Sequence, residues 1–527
     1  MCGGFMKVTA IIAEYNPLHQ GHAYQLREVR RRSGCDFLIV VMSGDYVQRG
    51  VPAILDKFTR AEMAVRCGAD LVLQLPLAAS CGSAERFAEG AVCLLNALDV
   101  VDELWFGSEC GRIEPFLSCA ELLAEEPPMF STALQTNLKK GLSFPAAREA
   151  ALGEMLSGWN TKDLLKEDPA DSACATPAMD GTLSDLHALL SLPNNVLGLS
   201  YCIQLIKTGS RIRPRTLQRL GADYHDLNTQ AVYPSASAIR SLLMKQYTED
   251  FSDLTDHTAL AQKNVTNSSD MLCHTAMTKR NTEGFSDHVH SAFTAIQKQK
   301  ASAECTETYK VTATSSANSS GYDTGSVSPG IADLPVHKIV LKTCLAGLIP
   351  DHLLPLYEKA LPAGGPVTMD DFSDMLRYQL LQETADSLTN YLDVSRDLAN
   401  RILHHVHDWT TITELTQLLK TRDRTYTAVS RALLHILLRV RKDALSTLRR
   451  PSYARILAFR PCGPLLKAIK ERSTLPLVTN PTVLGDAYGS ELFASSLYEH
   501  VLSQKSGAPF RHEYRRKIVP ADDFSFS

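Results

Sequence analysis

The N-terminal hundred residues alternate between short apolar runs and amphipathic stretches. Val8, Ala10, Ile11 and Ile12 form a run of strand length, and Met1–Phe5 before them reads as a short extension. The run breaks at the turn dipeptide Asn16-Pro17, and a helical pattern resumes at about Gly21 with Ala23, Leu26 and Val29. Asp36–Met42 (DFLIVVM) is almost continuously apolar, as a strand buried on both faces of a parallel sheet must be. There follow a helix over Lys57–Cys67, a strand at Asp70–Leu75, a helix over Ala84–Leu98 and a strand at Val101–Phe106 that runs into Gly107-Ser108-Glu109. This alternation predicts an α/β fold with a doubly wound parallel sheet, whose ligands sit at the C-terminal ends of the strands.

Farther on, helical patterns run through Pro115–Ser157 and a polar loop follows. Asn194-Asn195 precede a helix marked by Val196, Leu197, Leu199 and Ile203, so one asparagine is expected to cap it and the other is left for a base or ribose. Thr216–Leu220 reads as a last strand, with Arg219 near its end. Ser235 or Ser237 is the expected N-cap of the helix that follows and contains Arg240. From Lys245 to Pro335 the chain is rich in Ser, Thr, Asn and Gly, too poor in large aliphatics to offset its ordering entropy. It reads as a low-complexity, disordered insertion with one weak helical pattern near His288–Lys300. From Val336 helical periodicity takes over, with no return to strand–helix alternation: Asp370–Glu383, Ser395–His407, Ile412–Lys420 and a longer helix over Tyr426–Leu445. The expected organisation is therefore a nucleotide-binding domain at 1–244, an insertion at 245–335 and a mainly helical domain at 336–527.

Composition narrows the class. A chain of 527 residues with 44% apolar content has ample material for more than one core. A net charge of −4 means that any nucleic-acid surface must be local. The 13 cysteines contain no C-x-x-C pair, which argues against a zinc site or a disulfide framework and for a reduced, cytoplasmic setting. No apolar run has transmembrane length, and no basic-then-apolar leader opens the chain.

The candidate chemistry begins at the first strand–helix joint. His19 and His22 are three residues apart on an opening turn, beside Gly21, where unpaired helix N–H groups are expected to face a ligand. Two imidazoles and a helix N-terminus suit a polyphosphate and the charge that grows on one phosphorus during its displacement. Gln48, Arg49, Asp56, Lys57, Arg60 and Glu62 crowd a loop–helix segment that is expected either to line the mouth of this cleft or to form ordinary ion pairs. Lys420, Arg422, Arg424, Arg431 and Arg439 concentrate positive charge around the last long helix, with Tyr426 and His435 among them. That mixture suits a phosphate backbone with stackable bases. A second basic run, Arg511–Lys517, adds to it.

Tyr15-Asn16-Pro17-Leu18-His19-Gln20-Gly21-His22 resembles the H-x-G-H signature of the nucleotidyltransferase superfamily, and Ser235–Arg240 resembles its second, Ser-Ser/Thr-x-Ile-Arg signature. Asn16 stands where superfamily members often have Asp. AEYNPLHQGH, GADLVLQLP, LWFGSE, GLSFPAAR, PNNVLGLSY, TLQRLGADYHD and TYTAVSRALLHILL together resemble the bacterial tRNA(Met) cytidine acetate ligase family. The resemblance implies a cytoplasmic enzyme that activates acetate with ATP as acetyl-adenylate and acetylates the wobble cytidine of elongator tRNA(Met), giving N4-acetylcytidine. It implies His19 and His22 as catalytic residues. It implies ATP contacts from Ile12, Ala13, Glu14, Tyr15, Asn16, Pro17, Leu18, His19, Gln20, Gly21, His22, Ala23, Tyr24, Gln25, Gly107, Asn194, Asn195, Arg219, Ser237 and Arg240. Mg2+ is expected to accompany ATP, although no carboxylate cluster names its ligands. Two alternatives stay open: a nucleotidylyltransferase acting on a small metabolite, and a non-catalytic tRNA-binding protein.

Overall fold

The structure is a computed structural model that describes residues 6–142, 144–156, 189–190, 192–219, 234–248, 341 and 344–520. Residues 1–247 and 348–527 group into one compact unit, and 248–347 into a second. Residues 249–335 of the expected insertion, with its weak helix at His288–Lys300, lie outside the described residues.

The strands in chain order are β1 (Val8–Ala13), β2 (Phe37–Ser43), β3 (Tyr46–Val47), β4 (Val51–Pro52), β5 (Leu71–Leu75), β6 (Glu103–Ser108), β7 (Arg213–Gln218), β8 (Ala454–Phe459), β9 (Leu477–Val478) and β10 (Val519–Pro520). The main sheet runs β10-β8-β5-β2-β1-β6-β7, with β9 beside β8, while β3 and β4 form a small hairpin. From β5 to β7 every neighbour is parallel. Residues 38–43 of β2 are buried throughout, which accounts for the unbroken apolar run. Helix α1 (Gln20–Ser33) buries Ala23, Leu26, Val29 and Ser33 on one face and stops at Gly34, whose φ of 60° suits a residue without Cβ. Helix α2 (Lys57–Arg66) starts on Asp56, whose side chain accepts from the Phe58 and Thr59 amides.

Three expectations need correction. The C-terminal part does return to strands: β8 adds antiparallel to the edge of β5, with Leu71 opposite Phe459. Its ARILAF sequence contains a fully buried Arg455 and lies among helices, so it lacks the signature of an ordinary strand. The added strand covers an edge that would otherwise offer unpaired backbone groups. The long helix expected over Tyr426–Leu445 ends at Leu437. Arg439 takes φ 56°, its N–H donates to Ile436 O, and the Val440 N–H donates to His435 O, a Schellman ending built without glycine. Lastly, β7 begins at Arg213, three residues before the expected start, because its polar edge positions carry no apolar signal. Among the described residues no helix is long and apolar enough to cross a membrane.

Candidate active site

The end of β1 is held by a buried guanidinium. Arg60 of α2 is fully buried and donates to the carbonyls of Leu55 (2.9 Å), Glu14 (2.6 Å), Ser43 (3.3 Å) and Gly44. It thereby ties together the chain leaving β1 and the chain leaving β2. Beyond Glu14, Tyr15 adopts φ 48°, an uncommon conformation for a residue with a side chain. Asn16 Oδ1 accepts from the Ile54 amide at 3.0 Å, and Asn16 O accepts from Arg240 at 2.5 Å. The asparagine in place of the usual Asp is thus a loop-fixing residue here. Tyr357 donates to Leu18 O, and the Gln20 side chain donates to Ile349 O at 3.3 Å, so the turn is anchored on three sides.

His19 is the N-cap of α1. Its Nδ1 accepts from the Gly21 amide at 3.1 Å, so the neutral ring carries its proton on Nε2. The His22 N–H donates to His19 O at 2.9 Å and the Gln20 N–H to Leu348 O at 3.0 Å. The expected free amides at this helix start are therefore already in use, and the imidazoles themselves are what remains for an anion. The two rings lie 3.9 Å apart, centroid to centroid. Burial, then the nearby His22 ring and the positive charge of Arg219 and Arg240, holds His19 well below the usual histidine range. Burial and Arg219 push His22 down to about 3, and its Nδ1 has no partner among the described residues. Both rings are neutral at physiological pH.

They open into a cleft with about 1260 Å³ of empty space, part of it facing solvent, lined by Ile12, Ala13, Glu14, Tyr15, Asn16, His19, Gly21, His22, Tyr24 and Gln25. Gly107, Asn194, Arg219, Ser237 and Arg240 line it as well. Pro17, Leu18, Gln20, Ala23 and Asn195 do not reach the lining and support it from behind. At Gly107 a Cβ would lie 3.3 Å from Arg219 Cγ, so the missing side chain lets the arginine lie close.

Neither asparagine caps the helix Pro193–Lys207, contrary to expectation. Glu109 does the work instead: Oε2 accepts from the Asn195 N–H (3.0 Å) and Oε1 from Asn194 Nδ2 (2.6 Å). Asn195 is wholly buried and accepts from the Glu109 N–H at 2.9 Å, whereas Asn194 Oδ1 accepts from Arg219 at 3.0 Å. Ser235 is the cap of the next helix, with its hydroxyl accepting from the Ala238 amide at 3.0 Å, while the Ser237 hydroxyl accepts from Arg240 at 3.0 Å.

The crowded segment from Gln48 to Glu62 divides. Gln48 and Arg49 line the cleft, but Asp56, Lys57 and Arg60 are buried in the fold and Glu62 pairs with Arg66 on its own helix. Phe87, Phe106, Leu197, Tyr201 and Leu217 also line the cleft and are not anticipated, since aromatic and aliphatic residues at helical or strand spacing read as core. PNNVLGLSY is the signal that reaches two of them. Among the described residues no three His, Cys, Asp or Glu side chains group as a metal site.

The basic residues of the helical segment are of two kinds. Lys420, Arg422 and Arg439 are exposed. Arg424 donates to Ser395 Oγ at 2.6 Å, and Arg431 lies 3.8 Å from Asp393. In the second basic run, Arg516 pairs with Asp56 (3.0 Å) and is largely covered, while Arg511 pairs with Glu499 (2.9 Å) and, like Arg515 and Lys517, is exposed.

A family model described as HIGH Nucleotidyl Transferase matches residues 6–323 and 329–511. The tRNA(Met) cytidine acetate ligase of Caldanaerobacter subterraneus is 30% identical over 522 residues, which is 98% of this chain and 100% of that protein. The one from Acetivibrio thermocellus is 32% identical over 526 residues, again 98% and 100%. The crystal structure of apo Thermotoga maritima TmcAL superposes with TM-score 0.70 at 24% identity, covering 97% of this chain and 99% of that one. A second TmcAL structure, bound with alpha-thio ATP, gives TM-score 0.65. With that coverage and identity, the chain belongs to the HIGH nucleotidyl transferase family and, within it, to the tRNA(Met) cytidine acetate ligases.

Proposed function

We propose that this protein activates acetate with ATP as acetyl-adenylate and transfers the acetyl group to the wobble cytidine of elongator tRNA(Met), giving N4-acetylcytidine. The observation that carries the reading is the pair of neutral imidazoles, His19 buried and His22 half-buried, 3.9 Å apart at the end of β1 in a cleft also lined by Arg219 and Arg240.

In the first step an acetate oxygen bonds to the α-phosphorus, the bond to the β-phosphate oxygen breaks, and pyrophosphate leaves. Negative charge grows on the non-bridging oxygens. The Nε2–H of His19 is a donor for them that needs no reorganisation, since Gly21 already fixes the ring. Arg219 and Arg240 supply positive charge, and Arg240 is itself steadied by Ser237 and by Asn16 O. Glu109, which fixes Asn194, in turn positions Arg219. The second step joins the cytidine amine to an acetyl carbon that the mixed anhydride has already activated, so positioning supplies much of its rate.

Mg2+ finds no ready-made cage among the described residues. It would have to come with the nucleotide, where it would supply positive charge to the departing pyrophosphate. In the organisation proposed here residues 1–244 carry the ATP chemistry. Residues 336–527 carry the tRNA contacts, through exposed Lys420, Arg422 and Arg439 with Arg424 and Arg431 behind them.

Incubation with ATP, labelled acetate and elongator tRNA(Met) tests the reading. Label is expected in the tRNA, on cytidine, with AMP and pyrophosphate released. Label confined to a soluble product, or a soluble adenylylated metabolite made without tRNA, would overturn it.

A further inference from the structure

Outside the ATP cleft, a second cavity with about 630 Å³ of empty space, part of it facing solvent, lies against the start of the helix Ala84–Leu98. Arg86, Asp393, Ser395 and Lys442 supply its polar lining. Arg86 donates to Asp393 Oδ1 through one Nη, and its other guanidinium N–H groups have no partner among the described residues. Arg431 lies behind Asp393, its Nε 3.8 Å from Oδ2 and without a hydrogen-bond partner among the described residues. Ser395 Oγ accepts from Arg424 at 2.6 Å and from the Leu398 amide at 3.2 Å. The acceptor side of that hydroxyl is therefore taken, and its own proton is left to donate. The Lys442 backbone N–H donates to Asn390 O at 3.0 Å, while its exposed ammonium has no ion pair among the described residues.

Four cations thus gather at a cavity lined by a single carboxylate. Burial works against the Arg431 charge, Asp393 favours it and Arg86 opposes it, which leaves that guanidinium below the usual arginine range. Surplus positive charge with outward donors calls for an anion that has several acceptor oxygens. A metal cation would meet the same surplus as repulsion. The place of the cavity says which anion. Arg86 lines it while the next residue, Phe87, lines the ATP cleft, so two Cα atoms about 3.8 Å apart serve the two spaces. The cleft-lining tip Gln48-Arg49 continues into Gly50, which sits on the helix Tyr426–Leu437. There Ser430 donates to Gly50 O at 2.8 Å, and a Cβ on Gly50 would fall 2.4 Å from Arg431 N. An RNA with one base in the cleft lays a neighbouring phosphate beside this shared rim.

We propose that this cavity holds the backbone phosphate next to the wobble nucleotide of the tRNA, with Arg86, Lys442 and Ser395 donating to its oxygens and Arg424 and Arg431 supporting them. The inference rests on the ligase reading and adds a fixed point from which the cytidine swings out of its loop into the cleft. Asp393 is part of the site rather than an obstacle to it, since Arg86 already occupies its Oδ1 and is oriented by that contact.

The test couples one phosphate to one side chain. Binding is measured for the anticodon stem-loop RNA with each of the two phosphates that flank the wobble nucleotide replaced in turn by an uncharged methylphosphonate. One replacement should weaken binding to the wild-type protein roughly 10-fold, and Lys442→Gln, a change at an exposed side chain, should cost about as much on the unmodified RNA. The losses should not multiply: in Lys442→Gln the same replacement should cost only about 3-fold or less. Acetate-dependent exchange of labelled pyrophosphate into ATP, run without tRNA, should be unchanged in Lys442→Gln. Losses that multiply at both phosphates, or RNA affinity unchanged in Lys442→Gln and in folded Arg86→Gln, would overturn the inference. So would slower exchange in Lys442→Gln with RNA affinity intact, which would give the cavity to ATP or pyrophosphate. A wild-type protein that binds elongator tRNA(Met) yet transfers no labelled acetate to it would overturn the ligase reading itself, and the inference with it.

Discussion

Two clusters of charged and polar residues lie in this protein, and they differ in how far their partners are supplied by the fold. In the first, Lys57 is 1% exposed, with its Nζ 2.6 Å from Ser495 Oγ, 3.2 Å from Glu513 and 3.5 Å from Asp45. Ser495 donates to Asp45 at 2.8 Å, Tyr488 donates to Glu513 at 2.9 Å, and Arg455 lies 3.5 Å from Glu513. Burial works against the Glu513 charge, yet Lys57 and Arg455 hold its carboxyl below the usual range. Both carboxylates have cations and hydrogen-bond donors within the cluster, and of the two cations Arg455 leaves only Nε without a partner among the described residues. In the second, at the end of β1, His22 Nδ1 and the Tyr201 hydroxyl are buried without partners among the described residues, and both residues line the cleft. A satisfied network joins residues distant in sequence into one fold, whereas an unsatisfied one awaits a ligand.

The comparison breaks first where its predicted effect is largest. Lys57→Met should leave Asp45 without its buried cation and Glu513 with Arg455 alone, and cost about 3–5 kcal/mol in chemical unfolding. A loss near zero would show that the cluster is not closed on itself. Next, His19→Asn retains an oxygen to cap α1 but lacks the Nε2–H donor. Its pyrophosphate exchange should fall about 10²- to 10³-fold while the unfolding free energy shifts by less than about 1 kcal/mol. Equal damage to stability would make His19 a structural residue like Lys57.

Acidity sharpens the same contrast. His19 and His22 have folded-state values below 6.5, the latter about 3. As pH falls below 6.5 the unfolded chain binds protons that the folded site refuses, so their contribution to stability is present above 6.5 and is lost progressively towards pH 3. Replacing His22 by Gln should flatten the acid limb of unfolding free energy against pH. An unchanged limb would mean that the ring is not held neutral. The smallest effect is expected at the surface. Lys420→Ala and Arg422→Ala should each weaken tRNA binding and lower its salt slope by about 1, uniformly across RNA sequences. An unaltered slope would remove these residues from the interface.

The strand–helix units of the N-terminal part are legible nearly to the residue because a parallel strand leaves an unbroken apolar run and caps such as Asp56 and Ser83 punctuate the helices. β8 is not, since its Arg455 is buried on partners from β9, its neighbouring turn and Glu513, which no local pattern announces. Nor is the helix stop at Leu437, because Arg439 occupies the left-handed position where glycine would have marked it. At the site, the H-x-G-H spacing discloses His19 and His22. Nothing local discloses that Lys57 and Arg60, in the same kind of polar run as Gln48 and Arg49, turn inward. Tyr201 is hidden for the opposite reason: an aromatic at helical spacing reads as core, and it is core except for one oxygen.

The most direct test of the chemistry is acetate-dependent exchange of labelled pyrophosphate into ATP, without tRNA, by the wild-type protein and by His19→Asn and His22→Gln. If the imidazole pair stabilises charge at the α-phosphorus, the wild type exchanges only when acetate is present and both variants lose at least about 10²-fold while remaining folded. Exchange at wild-type rates in both folded variants would contradict it.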